Sequence, residues 1–155
     1  MNIESSKLDT IKHIETVRKY IKIFTDNLTQ RGIDHDKTKL EPPEVEDFAK
    51  VNDRLFNITY ASDEYNYSIK HELKDALEHH YSMNRHHPEH FENGINGMNL
   101  IDLIEMFADW KASTERQRNG DLRVSIDANQ KRFGFDDQLK QIFINTMNML
   151  DEESN

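Results

Sequence analysis

Six of the chain's eight histidines fall between residues 71 and 90, and their density is the first sign of chemistry in the sequence. Further upstream His35 stands directly beside Asp36. An imidazole next to a carboxylate offers mixed nitrogen and oxygen donors, which suit Mn²⁺, Fe²⁺, Co²⁺, Ni²⁺ or Zn²⁺. A histidine-rich surface loop and a solvated acidic loop are the alternative interpretations. Two adjacent pairs stand out among the clustered histidines: His79-His80 and His86-His87.

Two further candidate donors lie on predicted helices. His13 shares a helix face with Val17, so it either packs in the core or faces the interior as a ligand. Asp109 lies in an apolar stretch, and a buried carboxylate must either pair with a cationic side chain or bind a metal ion. Asp102 and Glu105 follow the same helix face as Asp109. Either of these two could orient a ligand histidine.

Cationic side chains beside these donors predict a phosphate subsite. Lys39 lies within one helical step of Asp36 and could meet a phosphate group. Arg85 could do the same from a second loop, together with His86 or His87. The predicted substrate-binding residues are therefore Lys39, Arg85, His86 and His87.

Glu44 is a candidate general base or a partner that orients a ligand, and Glu41 competes with it for that role. The alternative for both glutamates is favourable charge at the start of the next helix. Asp36 would bind the metal ion and Lys39 would bind the phosphate. The predicted catalytic residues are therefore Asp36, Lys39 and Glu44.

The elements that position these residues are predicted to be helical throughout. Apolar residues recur every three or four positions, and five glycines and three prolines leave little punctuation for strands. We expect an all-α bundle of five or six helices that forms a single domain over 1–155. The predicted helices cover about 8–30, a segment started by Pro42 and Pro43, 62–83, 98–118, 123–132 and 136–150.

Composition narrows the function classes. The chain has no cysteine, which excludes disulfides, thiolate metal sites and thiol nucleophiles. A net charge of −9 disfavours duplex nucleic acid and favours a small substrate drawn to a local cationic site. The sequence contains neither an apolar run of membrane-spanning length nor a signal-peptide pattern, so we expect a cytoplasmic protein without membrane partners. Oligomerisation stays open.

The order of the donors resembles the HD-domain superfamily of metal-dependent phosphohydrolases. In that all-helical superfamily a histidine, a His-Asp pair and a last aspartate bind the metal. By this resemblance His13, His35, Asp36 and Asp109 would be the ligands. His80 would join the histidine-rich loop in holding a further ion, so one or two divalent ions are expected, with Mg²⁺ added to the metals above.

Three segments carry the resemblance. Residues 35–39 (HDKTK) resemble the His-Asp-x-(Gly/Ser)-Lys form of phosphodiesterase-like members. Residues 84–91 (NRHHPEHF) and 102–112 (DLIEMFADWKA) are similar to a small uncharacterised family of bacterial and phage proteins. The resemblance implies a phosphohydrolase that cleaves a nucleotide or another small phosphate ester with metal-activated water. The alternatives are a protein that binds metal or nucleotide without turnover, and an acidic helical interaction or inhibitor protein.

Overall fold

The structure is a computed structural model that describes residues 2–57, 67 and 71–153. It divides into two compact units, Met1–His35 and Asp36–Asn155. All regular secondary structure in the described residues is helical, which confirms the all-α prediction. The start of the predicted helix 62–83 lies outside the described residues. A single domain over the whole chain stays a prediction, because each unit is described by itself.

The first unit is one long helix, α1 (Ile3–Asp34). The Asn2 side chain caps it by accepting a hydrogen bond of 2.9 Å from the backbone N–H of Ser5. The helix runs beyond the predicted 8–30 and passes through Gly32. None of its residues is buried, because a single helix has nothing within its own unit to cover its apolar stripe. The stripe residues are between 41% and 54% exposed: Leu8, Ile11, Ile14, Val17, Ile21 and Phe24.

The second unit contains the remaining five α-helices of the described residues. They are α2 (Glu44–Asn57), α3 (Lys74–Met83), α4 (Leu100–Arg116), α5 (Leu122–Phe133) and α6 (Asp137–Glu153). One short 3-10 helix, Lys37–Leu40, precedes α2, and two more, Pro88–His90 and Gly94–Gly97, lie between α3 and α4. The last three α-helices agree with the predicted segments to within a few residues, because each has a strong apolar period and a clear boundary.

Local sequence signals set those boundaries. Asn99 and Asp102 form a reciprocal capping box at the start of α4, in which each side chain accepts a backbone N–H of the other residue. The Asp121 side chain caps α5. Gly134 ends α5 in a left-handed conformation (φ 67°), which glycine adopts without the steric cost of a side chain.

The hydrophobic core of this unit lies between α4, α5 and α6. Phe107 of α4 stacks on Phe143 of α6 with ring centroids 5.3 Å apart, and Trp110 meets the same ring edge-on at 5.4 Å. Ile126 of α5 is completely buried in this cluster. The other buried members are Met106, Leu122, Phe135 and Ile144.

Helix α4 therefore has two buried faces, one apolar and one that carries carboxylates. Phe107 and Trp110 fix one face to the core, while Asp102 and Glu105 are buried on another. Packing of the first face holds the acidic side chains of the second in place. Within the described residues, no helix combines the length and apolar character needed to cross a membrane.

Truncation of Ile126 to alanine tests this core. We expect Ile126→Ala to lower the free energy of unfolding by about 2–5 kcal/mol, since it removes a fully buried side chain and leaves a cavity. Val124→Ala is the matched control on the same helix, because Val124 is 63% exposed, and we expect a change within about 0.5 kcal/mol. Equal effects of the two variants in urea unfolding would contradict this packing.

Candidate metal centre

Four potential metal-binding side chains meet within the second unit. One donor atom each from Asp36, His80, His86 and His87 lies within 4.8 Å of all the others. Oδ1 of Asp36 is 3.3 Å from Nε2 of His80 and 3.5 Å from Nε2 of His86. Three imidazoles and one carboxylate around one point form a donor set able to hold a divalent metal ion.

Asp36 brings its carboxylate to this point from an unusual backbone conformation. Its φ of 56° is left-handed, a region that aspartate tolerates better than most residues. Lys39, one turn along the 3-10 helix, donates a hydrogen bond of 2.7 Å to Oδ2. The second oxygen, Oδ1, is buried and faces the imidazoles of His80 and His86. One oxygen of the Asp36 carboxylate therefore binds Lys39, and the other is turned towards the metal-binding histidines.

Glu44 holds two of the histidines from behind. It is the first residue of α2 and is completely buried. Its Oε2 is 2.8 Å from Nδ1 of His80, and its Oε1 is 2.7 Å from Nδ1 of His79. Thr38 donates a further hydrogen bond of 3.0 Å to Oε2. Burial opposes the charged form of Glu44, but the hydrogen bonds from His79, His80 and Thr38 outweigh it, so its pKa lies below the ordinary value.

This contact fixes how His80 presents its ring. A carboxylate can only accept a hydrogen, so Nδ1 of His80 carries a proton that it donates to Glu44. In the neutral imidazole the lone pair is then on Nε2, which faces Asp36. This is the arrangement of a carboxylate, a histidine and a metal ion that orients many metal-ligating histidines.

A second carboxylate supports His86 in the same way. Oε1 of Glu105 on α4 lies 3.2 Å from Nδ1 of His86, and both side chains are buried. Since Nδ1 faces Glu105, Nε2 of His86 points towards Asp36. The neighbouring Asp102 accepts two hydrogen bonds from the guanidinium of Arg85, at 2.9 and 3.1 Å.

The loop that carries His86 and His87 is anchored at both ends. Asn84 donates hydrogen bonds of 2.9 Å to the carbonyl of His80 and to the hydroxyl of Thr38. At the far end, Nδ1 of His90 lies 3.0 Å from the carbonyl oxygen of Tyr81 and donates to it. Arg85 also lies over the ring of Phe91, 4.8 Å from its centroid. These contacts fix the loop against α3 and α4.

His87 completes the cluster mainly through contacts between rings. Its ring centroid is 4.1 Å from that of His86 and 4.9 Å from that of Tyr81. Burial, followed by the nearby His86 and His80, lowers the pKa of His87 to about 3. The imidazole is therefore neutral at physiological pH, which is the form that can bind a metal ion.

The predicted site residues fall into two groups. The structure brings Asp36 and His80 together, and a carboxylate oxygen of Asp109 lies within 4.8 Å of one of Asp36. His13 lies midway along α1 with an exposed side chain, and His35 caps the end of that helix. Both belong to the first unit, so their roles as ligands stay predictions.

The remaining candidates have distinct surroundings. Lys39 is bound to Asp36, and Arg85 is bound to the buried Asp102, so its substrate-binding role stays a prediction. Glu44 contacts two histidines, whereas its competitor Glu41 is exposed.

The sequence leaves His86 and His87 as candidates for binding phosphate or, through the histidine-rich loop, for holding a further ion with His80, and in the structure both lie in the donor cluster. Sequence reasoning gave no role to Thr38 or Asn84, which support Glu44 and His80. Local spacing could not have indicated the longer-range contacts of Thr38, which lies 3.3 Å from Nδ1 of His80, 42 positions away, and accepts a hydrogen bond from Asn84, 46 positions away.

Comparison with models of protein families gives a match over nearly the whole chain. The profile of the Family of unknown function (DUF5662) matches residues 2–151. No curated protein matches the sequence. No solved structure matches it either.

Substitution of Arg85 tests whether its ion pair is structural. We expect Arg85→Ala to lower the free energy of unfolding by about 1–3 kcal/mol, because it removes two charge-assisted hydrogen bonds from the buried Asp102. Arg118→Ala is a control for loss of charge alone, since Arg118 is exposed on the turn after α4. Thermal and urea unfolding measure both variants, and unchanged stability of Arg85→Ala would contradict the assignment.

Proposed function

The chain belongs to the DUF5662 family, and we propose that it is a metal-dependent phosphohydrolase that acts on a nucleotide or another small phosphate ester. One observation carries the proposal: Asp36, His80, His86 and His87 converge on one point within the second unit. Asp36 immediately precedes the first 3-10 helix, while His80 lies on α3 and His86 and His87 lie on the following loop, so the carboxylate joins histidines that are distant from it in the sequence. Such convergence is what a metal site requires and what surface histidines lack.

The chemistry of the donors fits a transition metal. Imidazole suits Mn²⁺, Fe²⁺, Co²⁺, Ni²⁺ and Zn²⁺, whereas Mg²⁺ prefers an all-oxygen shell. A bound divalent ion lowers the pKa of water and draws charge from a phosphoryl oxygen. Glu44 and Glu105 hold His80 and His86 in the orientation that such an ion needs, which favours Glu44 as an orienting residue rather than as the general base.

Lys39 supports the choice of a phosphate ester. Its ammonium group lies 2.7 Å from Oδ2 of Asp36, whereas the other oxygen, Oδ1, faces His80 and His86. The side chain is 37% exposed, so it can turn towards an incoming anion without crossing the core. Lys39 would then bind a phosphoryl oxygen beside the metal ion.

The proposed substrate is small because the chain carries a net charge of −9. An acidic protein repels a nucleic-acid backbone, while a local cation beside a metal ion still attracts a single phosphate ester. We place this activity in the cytoplasm. A protein that binds metal or nucleotide without turnover would use the same donors. The assay below distinguishes this alternative from the proposed phosphohydrolase.

Loss of the Asp36 carboxylate tests the proposal. We expect protein purified without a tag to bind one or two equivalents of Mn²⁺, Co²⁺, Ni²⁺ or Zn²⁺ and to release phosphate from a panel of nucleotides. Asp36→Asn should weaken metal binding about 100-fold or more and abolish turnover, because it removes the charged ligand. His71→Ala is the control, since it deletes an exposed imidazole outside the cluster. Metal bound without turnover on any phosphate ester supports the sequestering alternative, and full metal occupancy in Asp36→Asn contradicts the site.

Glu44→Gln tests the orienting role separately. The amide keeps the shape of the side chain but weakens the hydrogen bonds from His79 and His80, so we expect metal affinity to fall about 10–100-fold. Calorimetric titration with Zn²⁺ measures the change. Glu41→Gln, which alters an exposed glutamate, should leave the affinity unchanged. Equal affinities in all three proteins would remove Glu44 from the site.

A further inference from the structure

We propose that His87 is a residue that receives the substrate rather than a permanent metal ligand: its Nε2 faces the coordination position left open for an oxyanion such as phosphate. This inference rests on the proposed metal site and divides its four donors into two roles. Asp36, His80 and His86 would hold the ion, and His87 would contact what binds to it. Three protein ligands and one open position are typical of catalytic metal sites.

The distances between donor atoms carry the first step. Two ligands about 2.0–2.1 Å from a tetrahedral metal ion lie about 3.3 Å from each other. Oδ1 of Asp36 meets this value with both partners, at 3.3 Å from His80 and 3.5 Å from His86. Nε2 of His87 is only 2.9 Å from Nε2 of His80, which is a hydrogen-bond distance. Asp36 is therefore spaced as a fellow ligand of His80 and of His86, whereas His87 is spaced as a hydrogen-bonding neighbour of His80.

Proton positions carry the second step. At 2.9 Å one of the two nitrogens must donate a hydrogen and the other must accept it. Nδ1 of His80 donates to Glu44, so in the tautomer of His80 that can bind a metal ion Nε2 is the acceptor and His87 is the donor. A metal ion on Nε2 of His80 uses the same lone pair and ends this hydrogen bond. The N–H of His87, released from this hydrogen bond, would then be available to a further ligand of the ion.

Support around the rings carries the third step. Each of the other donors is held on its far side by a charged group: Lys39 holds Asp36, Glu44 holds His80 and Glu105 holds His86. Apart from its hydrogen bond with Nε2 of His80, His87 meets Tyr81 and its histidine neighbours through ring contacts, and the nearby charges of Asp109 and Lys39 also act on it. Ring contacts allow small rotations that a buried ion pair resists. Lys39 near His87 gives an entering oxyanion a cation on one side and an N–H on the other.

The test uses full-length protein loaded with Co²⁺, whose visible spectrum reports its ligands, and inorganic phosphate as the probe. We expect His87→Ala to keep the wild-type Co²⁺ content, with an affinity within about threefold, while His80→Ala and His86→Ala lose the ion. Phosphate should shift the Co²⁺ spectrum of the wild type, and His87→Ala should bind phosphate about 10–100-fold more weakly, because one hydrogen bond to an anion is lost. His87→Gln, which restores an N–H donor, should recover most of this affinity. Circular dichroism checks that every variant is folded, and His71→Ala is the matched control.

Each contrary outcome has a distinct meaning. If folded His87→Ala loses Co²⁺ as His80→Ala does, His87 is a ligand, and the inference is wrong while the metal site stands. Unchanged phosphate affinity in His87→Ala also overturns the inference. If the wild-type protein binds no Co²⁺, Mn²⁺, Ni²⁺ or Zn²⁺, the proposed function itself fails.

Discussion

The site depends on one constraint, the burial of the Glu44 carboxylate. A carboxylate without contact with water is costly unless donors surround it, and Glu44 receives hydrogen bonds from His79, His80 and Thr38. These donors belong to the 3-10 helix and to α3, so satisfying one charge ties three segments to each other. Because Asn84 in turn donates to Thr38 and to the carbonyl of His80, the hydrogen bonds continue into the histidine loop. The position of the metal donors thus follows from an electrostatic requirement behind them.

The charges around the cluster also favour a cation. Among the described residues that the contacts above connect, there are five carboxylates but only two permanently cationic side chains, Lys39 and Arg85. The carboxylates are Asp36, Glu44, Asp102, Glu105 and Asp109. The lowered pKa of Glu44 and the neutral state of His87 leave this excess of negative charge in place. A divalent ion among the imidazoles would offset it, and this is a physical reason for metal binding that is independent of any family resemblance.

The sequence predicted the fold and one part of the site. Helices α4, α5 and α6 were predicted from the sequence because their apolar residues repeat with the helical period and their capping residues are local. His80 is in line with Leu73 and Leu77 at the helical period, which indicates an inward side chain, and it is 1% exposed. The pairing of Glu44 with two histidines could not be read in this way, since 35 residues separate Glu44 from His79. The apolar stripe of α1 is a different case, because periodicity predicted that the helix has an apolar face but could not predict what that face contacts.

Helix α4 uses one face to pack into the core and another to carry buried carboxylates, which explains how a small helical unit can hold several buried charges. Phe107 and Trp110 lock the helix to the core, so Glu105 approaches His86 from a rigid support rather than from a loop. Rigid support matters because a metal site tolerates errors of only about 0.5 Å in its donors. His86 is held from this helix, and His80 is held by Glu44 at the first turn of α2. His87 contacts the rings of Tyr81 and His86 and shares a hydrogen bond with His80 that an ion on His80 would replace, so among the four donors this imidazole is the one left to respond to what enters the site.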